Sequence, residues 1–414
     1  MRPNSFSINI RSLLTHALLL SPFLSAFIIV STHYFDFRLP YFIISVVAVM
    51  VFFSKGTLFL PRSFLLAFLI LTTTSAINLL LGNTTFGLMI PQVIGILAVS
   101  TAWYSLMVYN RYNIRGVYQG YLVFATLAAG VGIGEEIYHL GAFFFNSQGL
   151  PEELVRVSSV LPEPAHFGTL MLPAFYVAIS SFGSKKPILS RLQGSIIILA
   201  TILTFSVTAY FGMAVAFFLY LIQVPTSKVS KFVILIFIIL IFLLVLFNTS
   251  ALRNRVEDSI GVILGRVAIS EVNLSTYTWV SNAMVAFNSL SRNPLFASGL
   301  GSHPISYRQF MPSKTWGRDI SLNAEDANSL LLRLLSETGL IGFGFVMYFF
   351  ARNYLRKSKG KRMNVIINHA CLPFFAAQML RSGHYFLEGI FLFFWLYYFS
   401  YRLGARRQET IRTS

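Results

Sequence analysis

One stretch of the chain combines charge with proline: RVSSVLPEPAHFG, residues 156–168. Residues before proline avoid helical geometry, so Pro162 and Pro164 predict a bend that fixes Glu163 where the chain enters the next apolar run. A carboxylate held at such a bend could act as a general base, or could orient an arginine. An Arg156–Glu163 ion pair that only shapes the loop is the simpler interpretation, and the residues alone leave both open.

A second group of candidates lies in segment 250–327, which carries seven basic side chains. Guanidinium groups bind phosphate oxygens bidentately, so an anion is a natural ligand for this segment. The arginines predicted to bind it are Arg266, Arg308 and Arg318. A solvated loop with incidental ion pairs would explain each of them equally well.

Further polar residues adjoin or interrupt apolar runs. Asn328 precedes one run and is predicted to be its N-cap. Arg333 and Glu337 lie four residues apart on the same helix face, where they could serve a function or simply pair with each other. Tyr210, in LTFSVTAYFG, lies in an apolar setting, where a hydroxyl group more often hydrogen-bonds a neighbouring helix than serves a function. RSGHYF, residues 381–386, is predicted to be a surface loop.

The elements that position these residues are membrane helices. The 414 residues are 55% hydrophobic and 11% charged, which excludes an ordinary soluble globular protein. Long apolar runs must be helical in a bilayer. We therefore predict an all-α polytopic membrane protein with about twelve spans. Their approximate ranges are 12–31, 39–53, 62–82, 86–110, 117–142, 166–183, 192–207, 208–224, 232–249, 328–352, 364–380 and 385–402. No Gly- or Pro-broken helix pair is visible in matching positions of the chain.

Basic residues predict the orientation. Most of the 32 lysines and arginines lie in alternate connections, so these connections and both termini are predicted to be cytoplasmic. The net charge of +17 then records topology, and no soluble basic domain suggests a nucleic-acid partner. The predicted organisation is helices 1–9 in 1–249 with an external loop 143–165, a large periplasmic loop 250–327, and helices 10–12 with a tail in 328–414.

Motifs for nucleotides and metals are missing from the sequence. There is no Walker A, G-x-G-x-x-G or H-E-x-x-H pattern, and the seven histidines have no metal-ligand spacing. No cofactor and no metal are predicted.

Several stretches together resemble the O-antigen polymerase and ligase superfamily, particularly Wzy-type polysaccharide polymerases. RVSSVLPEPAHFG is similar to the R-x-S, EP and FG segment of exopolysaccharide polymerases. LTFSVTAYFG is similar to the family's "tfSrtaylg" segment. NPLFASGLGS followed by NSLLLRLLSETGLIG is similar to the signature that closes a large external loop.

The resemblance implies a GT-C-like helical enzyme that uses no sugar nucleotide. Its substrate would be an oligosaccharide on undecaprenyl diphosphate, in the bacterial inner membrane, with the active site facing the periplasm. The site residues implied are Glu163, Asp326 and Arg156 for catalysis, with Glu163 the first candidate base and Asp326 the second. Substrate-binding residues would be Arg266, Arg308, Arg318, Asn328 and Tyr210. Membrane lipids, a chain-length regulator and a flippase are the other expected partners.

Two departures from the family pattern affect the expected chemistry. The Ser-Arg pair of many members is Ser206-Val207 here, so one arginine is absent. Ligases typically have His-Asn at the start of the tenth span, whereas this chain has Asn328-Ser329, which favours a polymerase. A ligase remains the alternative enzyme, and a flippase or transporter of lipid-linked sugars is the alternative of another class.

Overall fold

The computed structural model describes residues 10–31, 36–55, 60–110, 112–145, 156–182, 184, 186–223, 236, 250–310, 322–356, 362–386 and 389–412. These residues form fourteen α-helices and one two-stranded antiparallel sheet, β1 (Ile28–Ser31) and β2 (Asp36–Arg38). The helices are α1 (Ile10–Leu20), α2 (Leu39–Lys55), α3 (Arg62–Leu80), α4 (Phe86–Tyr109), α5 (Ile114–Phe145), α6 (Pro164–Phe182), α7 (Arg191–Ile202), α8 (Val207–Gln223), α9 (Ser250–Ile263), α10 (Leu274–Arg292), α11 (His303–Phe310), α12 (Leu330–Arg352), α13 (Arg362–Leu380) and α14 (Ile390–Arg412).

Six helices in the described part of the chain are long and apolar enough to cross a membrane: α3, α4, α5, α6, α12 and α13. Shorter apolar helices overlap the predicted first, second, seventh and eighth spans. The predicted ninth span, 232–249, lies outside the described residues except for residue 236. The all-α polytopic class is therefore confirmed, while the number of twelve spans stays a prediction.

The first predicted span, 12–31, is wrong as a single helix. Helix α1 ends at Leu20, and a 3₁₀ turn, Ser21–Leu24, follows with Pro22 near its start. Proline has no N–H to continue the hydrogen-bond ladder of a preceding helix. Strand β1 then pairs with β2 before α2 begins.

Helix α6 lies at the centre of the bundle, packed against α7, α8 and α13. Burial of apolar surface gives little drive for association between helices in lipid, so packing and interhelical hydrogen bonds must hold the bundle. Such bonds run from Tyr118 and Tyr121 on α5 to the carbonyls of Pro173 (2.9 Å) and Leu170 (2.7 Å) on α6. These contacts make α6 a fixed base for the segment that precedes it.

Helix α12 is broken at Gly339, where φ is 63° and ψ is −160°. A loop fills the break with its own backbone bonds. The amides of Ser298 and Gly299 donate to the carbonyls of 336 and 337, at 3.3 and 2.9 Å, and the amides of 340 and 341 donate to Pro294 and Leu295, at 2.9 and 3.1 Å. This single break was not predicted from the sequence, and the inserted loop satisfies the backbone groups that the helix leaves open.

Glycine is required at this break. A Cβ at position 339 would lie 2.5 Å from the Leu295 carbonyl oxygen, and the positive φ also disfavours other residues. The GLGS and SETGLIG stretches of the sequence therefore form one interlocked unit.

Candidate functional site

Three segments meet at one end of the bundle, here named the loop end: residues 156–163, 322–329 and 381–386. Arg381 Nη2 lies 3.4 Å from Glu163 Oε2, and His384 Nε2 lies 3.4 Å from Asp326 Oδ2. The two carboxylates predicted as candidate bases are thus bound by residues of the same connection. Glu163 is half exposed, at 51% of its side chain, and Asp326 at 15%.

Segment 156–163 is anchored on both sides before α6 begins. The Ser159 amide donates to Glu135 Oε2 on α5 at 3.0 Å, and Ser159 Oγ donates to the Ala128 carbonyl at 2.8 Å. Arg156 Nε donates to the Thr204 carbonyl at 3.4 Å, in the turn between α7 and α8. Arg156 is therefore placed against the LTFSVTAYFG stretch.

The bend at Glu163 is confirmed. Helix α6 begins at Pro164, and the Glu163 carbonyl accepts the amides of residues 166 and 167, both at 3.1 Å. The ion pair expected between Arg156 and Glu163 is wrong for the described residues, where Glu163 pairs with Arg381. Arg156 is instead drawn to the turn beside α8.

Residues 323–329 form a strained turn before α12. Asn323, Ala327 and Asn328 have φ values of 53°, 58° and 57°. Asp326 Oδ1 accepts the Asn328 amide at 3.0 Å, so this carboxylate both shapes the turn and binds His384. Positive φ at residues other than glycine is costly and concentrates at functional positions.

The prediction of Asn328 as the N-cap of the tenth span is wrong. Ser329 caps α12, with extended φ and ψ and its Oγ accepting the amide of residue 332 at 3.3 Å. Asn328 cannot take that role because it is left-handed, whereas an N-cap residue is extended. Its carbonyl accepts the Ser382 amide at 3.0 Å, and its side chain accepts from Asn323 at 3.1 Å.

A buried ionic group lies directly behind this turn. Arg333 is 2% exposed and Glu337 1% exposed, and Nε of Arg333 lies 3.1 Å from Oε1 of Glu337. The guanidinium also donates to the Gly383 carbonyl at 3.0 Å and stacks 4.6 Å over the Tyr385 ring. Tyr385 donates its hydroxyl to Glu337 Oε2 at 2.9 Å. Burial, followed by the Glu337 charge, raises the pKa of Tyr385 well above its usual value.

His303, the first residue of α11, completes the group that we call the Arg333 cluster: Arg333, Glu337, Tyr385 and His303. Its backbone amide lies 3.4 Å from Glu337 Oε1. Its Nε2 faces Oδ1 of Asn282 at 2.9 Å, and its Nδ1 faces Oγ of Ser336 at 2.8 Å. The Asn282 amide nitrogen donates to two carbonyls, so Nε2 of His303 is assigned the proton. Burial, then the Arg333 charge, lowers the pKa of His303 to about 3, which keeps it neutral.

The predicted substrate-binding residues are more dispersed. Tyr210 is buried and donates its hydroxyl to the Ile202 carbonyl at 2.8 Å, across the turn between α7 and α8. Arg266 follows α9 and Arg308 lies on α11, both exposed. No contact among the described residues joins either arginine to Glu163 or Asp326. Arg318 lies outside the described residues.

The prediction of a surface loop at 381–386 is wrong. Ser382, Tyr385 and Phe386 are buried, and only Arg381 and His384 reach partly into solvent. The segment is held by long-range contacts, several of them through backbone groups, so the sequence offered no local pattern to detect. Glu135 was also missed, although a carboxylate within an apolar run was a usable signal.

Among the described residues, no three His, Cys, Asp or Glu side chains are grouped as metal binding would require. The site consists of carboxylates, arginines, a histidine and backbone groups. Side chains of these kinds can take up a proton and can bind an anion.

Comparison with known families gives one match, to the Wzy_C model, described as O-antigen ligase. It covers residues 194–347. The resemblance to the O-antigen polymerase and ligase superfamily is confirmed over that range. Comparison with curated proteins gives no match.

The O-antigen ligase match runs from α7 to α12 and includes Asp326, the Arg333–Glu337 pair and the loop inserted at Gly339. The match supports a glycosyl-transfer enzyme in general. Segment 156–168 and the connection 381–386 lie outside the matched range, yet both contact residues within it.

Proposed function

We propose that the chain is a polymerase of oligosaccharide repeats carried on undecaprenyl diphosphate. The observation that carries the proposal is the meeting of Glu163, Asp326 and segment 381–386 beside the region that matches O-antigen ligase. Both carboxylates are partly exposed, so a substrate hydroxyl can approach them. The positive-inside pattern supports an external site, in the bacterial inner membrane with both termini cytoplasmic.

The proposed reaction transfers a growing glycan onto the next lipid-linked repeat. The bond between the anomeric carbon of the donor and its phosphate oxygen breaks, and the acceptor hydroxyl oxygen bonds to that carbon. The hydroxyl proton passes to a carboxylate, with Glu163 the first candidate and Asp326 the second. Undecaprenyl diphosphate leaves with the bonding electron pair.

The leaving diphosphate requires cations. Arg156 is the first candidate because it lies at the loop end, fixed to the turn before α8. The exposed Arg266 and Arg308, together with Arg318, are proposed to draw in the anionic donor from the large loop. Asn328 and Tyr210 are proposed to bound the glycan path. Membrane lipids, a flippase and a chain-length regulator are the proposed partners in the cell.

A ligase is the second candidate, favoured by the description of the matched family. The turn that precedes α12 favours the polymerase. Ligases typically have a His-Asn pair at this position, whereas this chain has Asn328-Ser329, with Asp326 just before it. The two activities differ only in the acceptor, which is a second lipid-linked repeat for a polymerase.

Deletion of the gene tests the proposal. A polymerase mutant should display single repeat units on its lipid or secreted glycan. A ligase mutant should instead accumulate long chains on undecaprenyl diphosphate. Normal long chains on the usual acceptor would contradict both activities. Complementation with the wild-type gene is the control.

A further inference from the structure

The connection 381–386 is held in place by the turn before α12 and by the first turns of α12. The Ser382 amide donates to the Asn328 carbonyl at 3.0 Å, and the Gly383 carbonyl accepts from Arg333 at 3.0 Å. A Cβ at Gly383 would collide with the Asp326 carbonyl oxygen, so the two backbones are in direct contact. Tyr385 joins Glu337 through its hydroxyl. Every one of these anchors is buried or is backbone.

The conformation of this connection is also strained. Ser382 has a φ of 74°, and the Asn328 to which it bonds has a φ of 57°. Non-glycine residues are strained in this region and persist there only where the surroundings impose the conformation. One hydrogen bond therefore joins two strained turns, one carrying Asp326 and the other carrying Arg381 and His384.

The two side chains that emerge from this buried base bind the two candidate carboxylates. Arg381 contacts Glu163, and His384 contacts Asp326. The Arg381–Glu163 pair is partly exposed, and ion pairs of that kind contribute little to stability. The backbone that carries this pair is nevertheless buried and strained, which indicates that its role is to fix the positions of Arg381 and His384.

We propose that 381–386 is a positioning segment for glycan transfer, in which Arg381 acts through Glu163 and His384 acts through Asp326. The inference rests on the proposed function, since it concerns the placement of its candidate bases. It adds a connection outside the matched family range to the active site. The buried Arg333 cluster is the part that holds this segment.

The test is a double-mutant cycle on transfer. The full-length protein is reconstituted in liposomes with lipid-linked repeats, and initial rates are measured for Arg381→Gln, Glu163→Gln and the double variant. A misplaced base lowers kcat more than it raises KM, and we expect a loss of about 10- to 100-fold for Arg381→Gln. In the Glu163→Gln background the same change should cost less than about twofold.

A second cycle pairs His384→Asn with Asp326→Asn and has the same expected pattern. Arg381→Lys should recover most of the rate, because it returns a cation to the Glu163 carboxylate. The matched control is the exposed Arg253–Glu257 pair on α9, at 3.7 Å. Arg253→Gln should transfer within about twofold of wild type.

The outcomes separate this inference from the proposed function. If the two single losses in transfer rate multiply in both double variants, the positioning role is overturned and the proposed polymerase function is unaffected. A rise in KM alone for Arg381→Gln would instead make Arg381 a direct contact of the substrate. A wild type that transfers no glycan would overturn the proposed function and the positioning role together.

The proximity of residues 163 and 381 can be tested without measuring activity. In a Cys371→Ser background, the variant Glu163→Cys/Arg381→Cys should be joined within one chain by a short thiol crosslinker in intact membranes. A matched pair at 253 and 381 is the control for random reaction. Failure to join 163 with 381 while both thiols react with a single-ended probe would overturn the inference, whatever the protein catalyses.

Discussion

The Arg333–Glu337 pair gives the most quantitative prediction. Replacing Arg333 by methionine keeps most of the apolar volume but leaves the Glu337 carboxylate buried without its cation. Glu337 would retain the Tyr385 hydroxyl at 2.9 Å and the His303 amide at 3.4 Å. Breaking one half of a buried pair destabilises by about 3–5 kcal/mol, a factor of roughly 10² to 10³ or more in the folding equilibrium.

The double variant Arg333→Met/Glu337→Leu should be more stable than the single one. It removes both charges, and hydrophobic replacement of a whole buried pair is often nearly neutral. A penalty of about 1–3 kcal/mol should remain because the Tyr385 hydroxyl and the His303 amide lose their acceptor. Adding Tyr385→Phe removes one of these donors and should recover part of that penalty.

The assay is reversible unfolding of the purified protein in mixed detergent, followed by tryptophan fluorescence. The expected order of stability is wild type, then the double variant, then Arg333→Met. Arg253→Met, an exposed control, should change the free energy of unfolding by less than about 0.5 kcal/mol. A double variant as unstable as Arg333→Met, or a single variant within 1 kcal/mol of wild type, would refute the reasoning.

Three further predictions follow from the same geometry. Between about pH 6.5 and 3, His303 is protonated in the unfolded chain but neutral in the folded chain, so this residue should lower the free energy of unfolding by about 1.4 kcal/mol per unit fall in pH. In His303→Gln, the free energy of unfolding should therefore depend less steeply on pH, by that slope. Gly383→Ala should reduce transfer strongly in liposomes because its Cβ meets the Asp326 carbonyl, whereas Gly344→Ala, with open space around it, should transfer like wild type. Arg156→Ala and Glu163→Ala should each abolish polymer on a gel while inserting in the membrane at wild-type levels; full-length polymer from either would return that residue to a structural role.

Much of the fold follows from the sequence because lipid permits few solutions. Apolar runs had to be helices, and the bend at Pro164 followed from the restriction that proline places on its neighbours. The first span was misjudged because its apolar composition continues through Pro22 into a hairpin. An apolar composition predicts that a segment lies in lipid, but it does not predict at which residue the helical hydrogen bonds end.

The site was predicted in part. Glu163 and Asp326 were predicted as candidate bases, and that role stays a prediction, while the structure brings segment 381–386 to both carboxylates. The role of that segment was missed because its contacts are long-range and largely through backbone groups, which leave no local pattern. Asn328 shows the same difficulty. Its residue type suits an N-cap, but the hydrogen bond to Ser382 holds it in a left-handed turn and passes the cap to Ser329.

The break at Gly339 illustrates a tertiary effect of another kind. A single glycine within an apolar helix pattern is usually tolerated, so nothing local marks it as a break. The break forms because four backbone bonds to the loop around Gly299 replace those of the helix.

The central claim is that this chain joins one lipid-linked glycan to another. Its most direct test gives the purified, reconstituted protein undecaprenyl-diphosphate-linked repeats as the sole substrate and separates the products by length. The account predicts a ladder of lipid-linked polymers with release of undecaprenyl diphosphate, formed far more slowly by Glu163→Gln. Single repeats that persist unless a different acceptor is added, and are then transferred to it, would contradict the account.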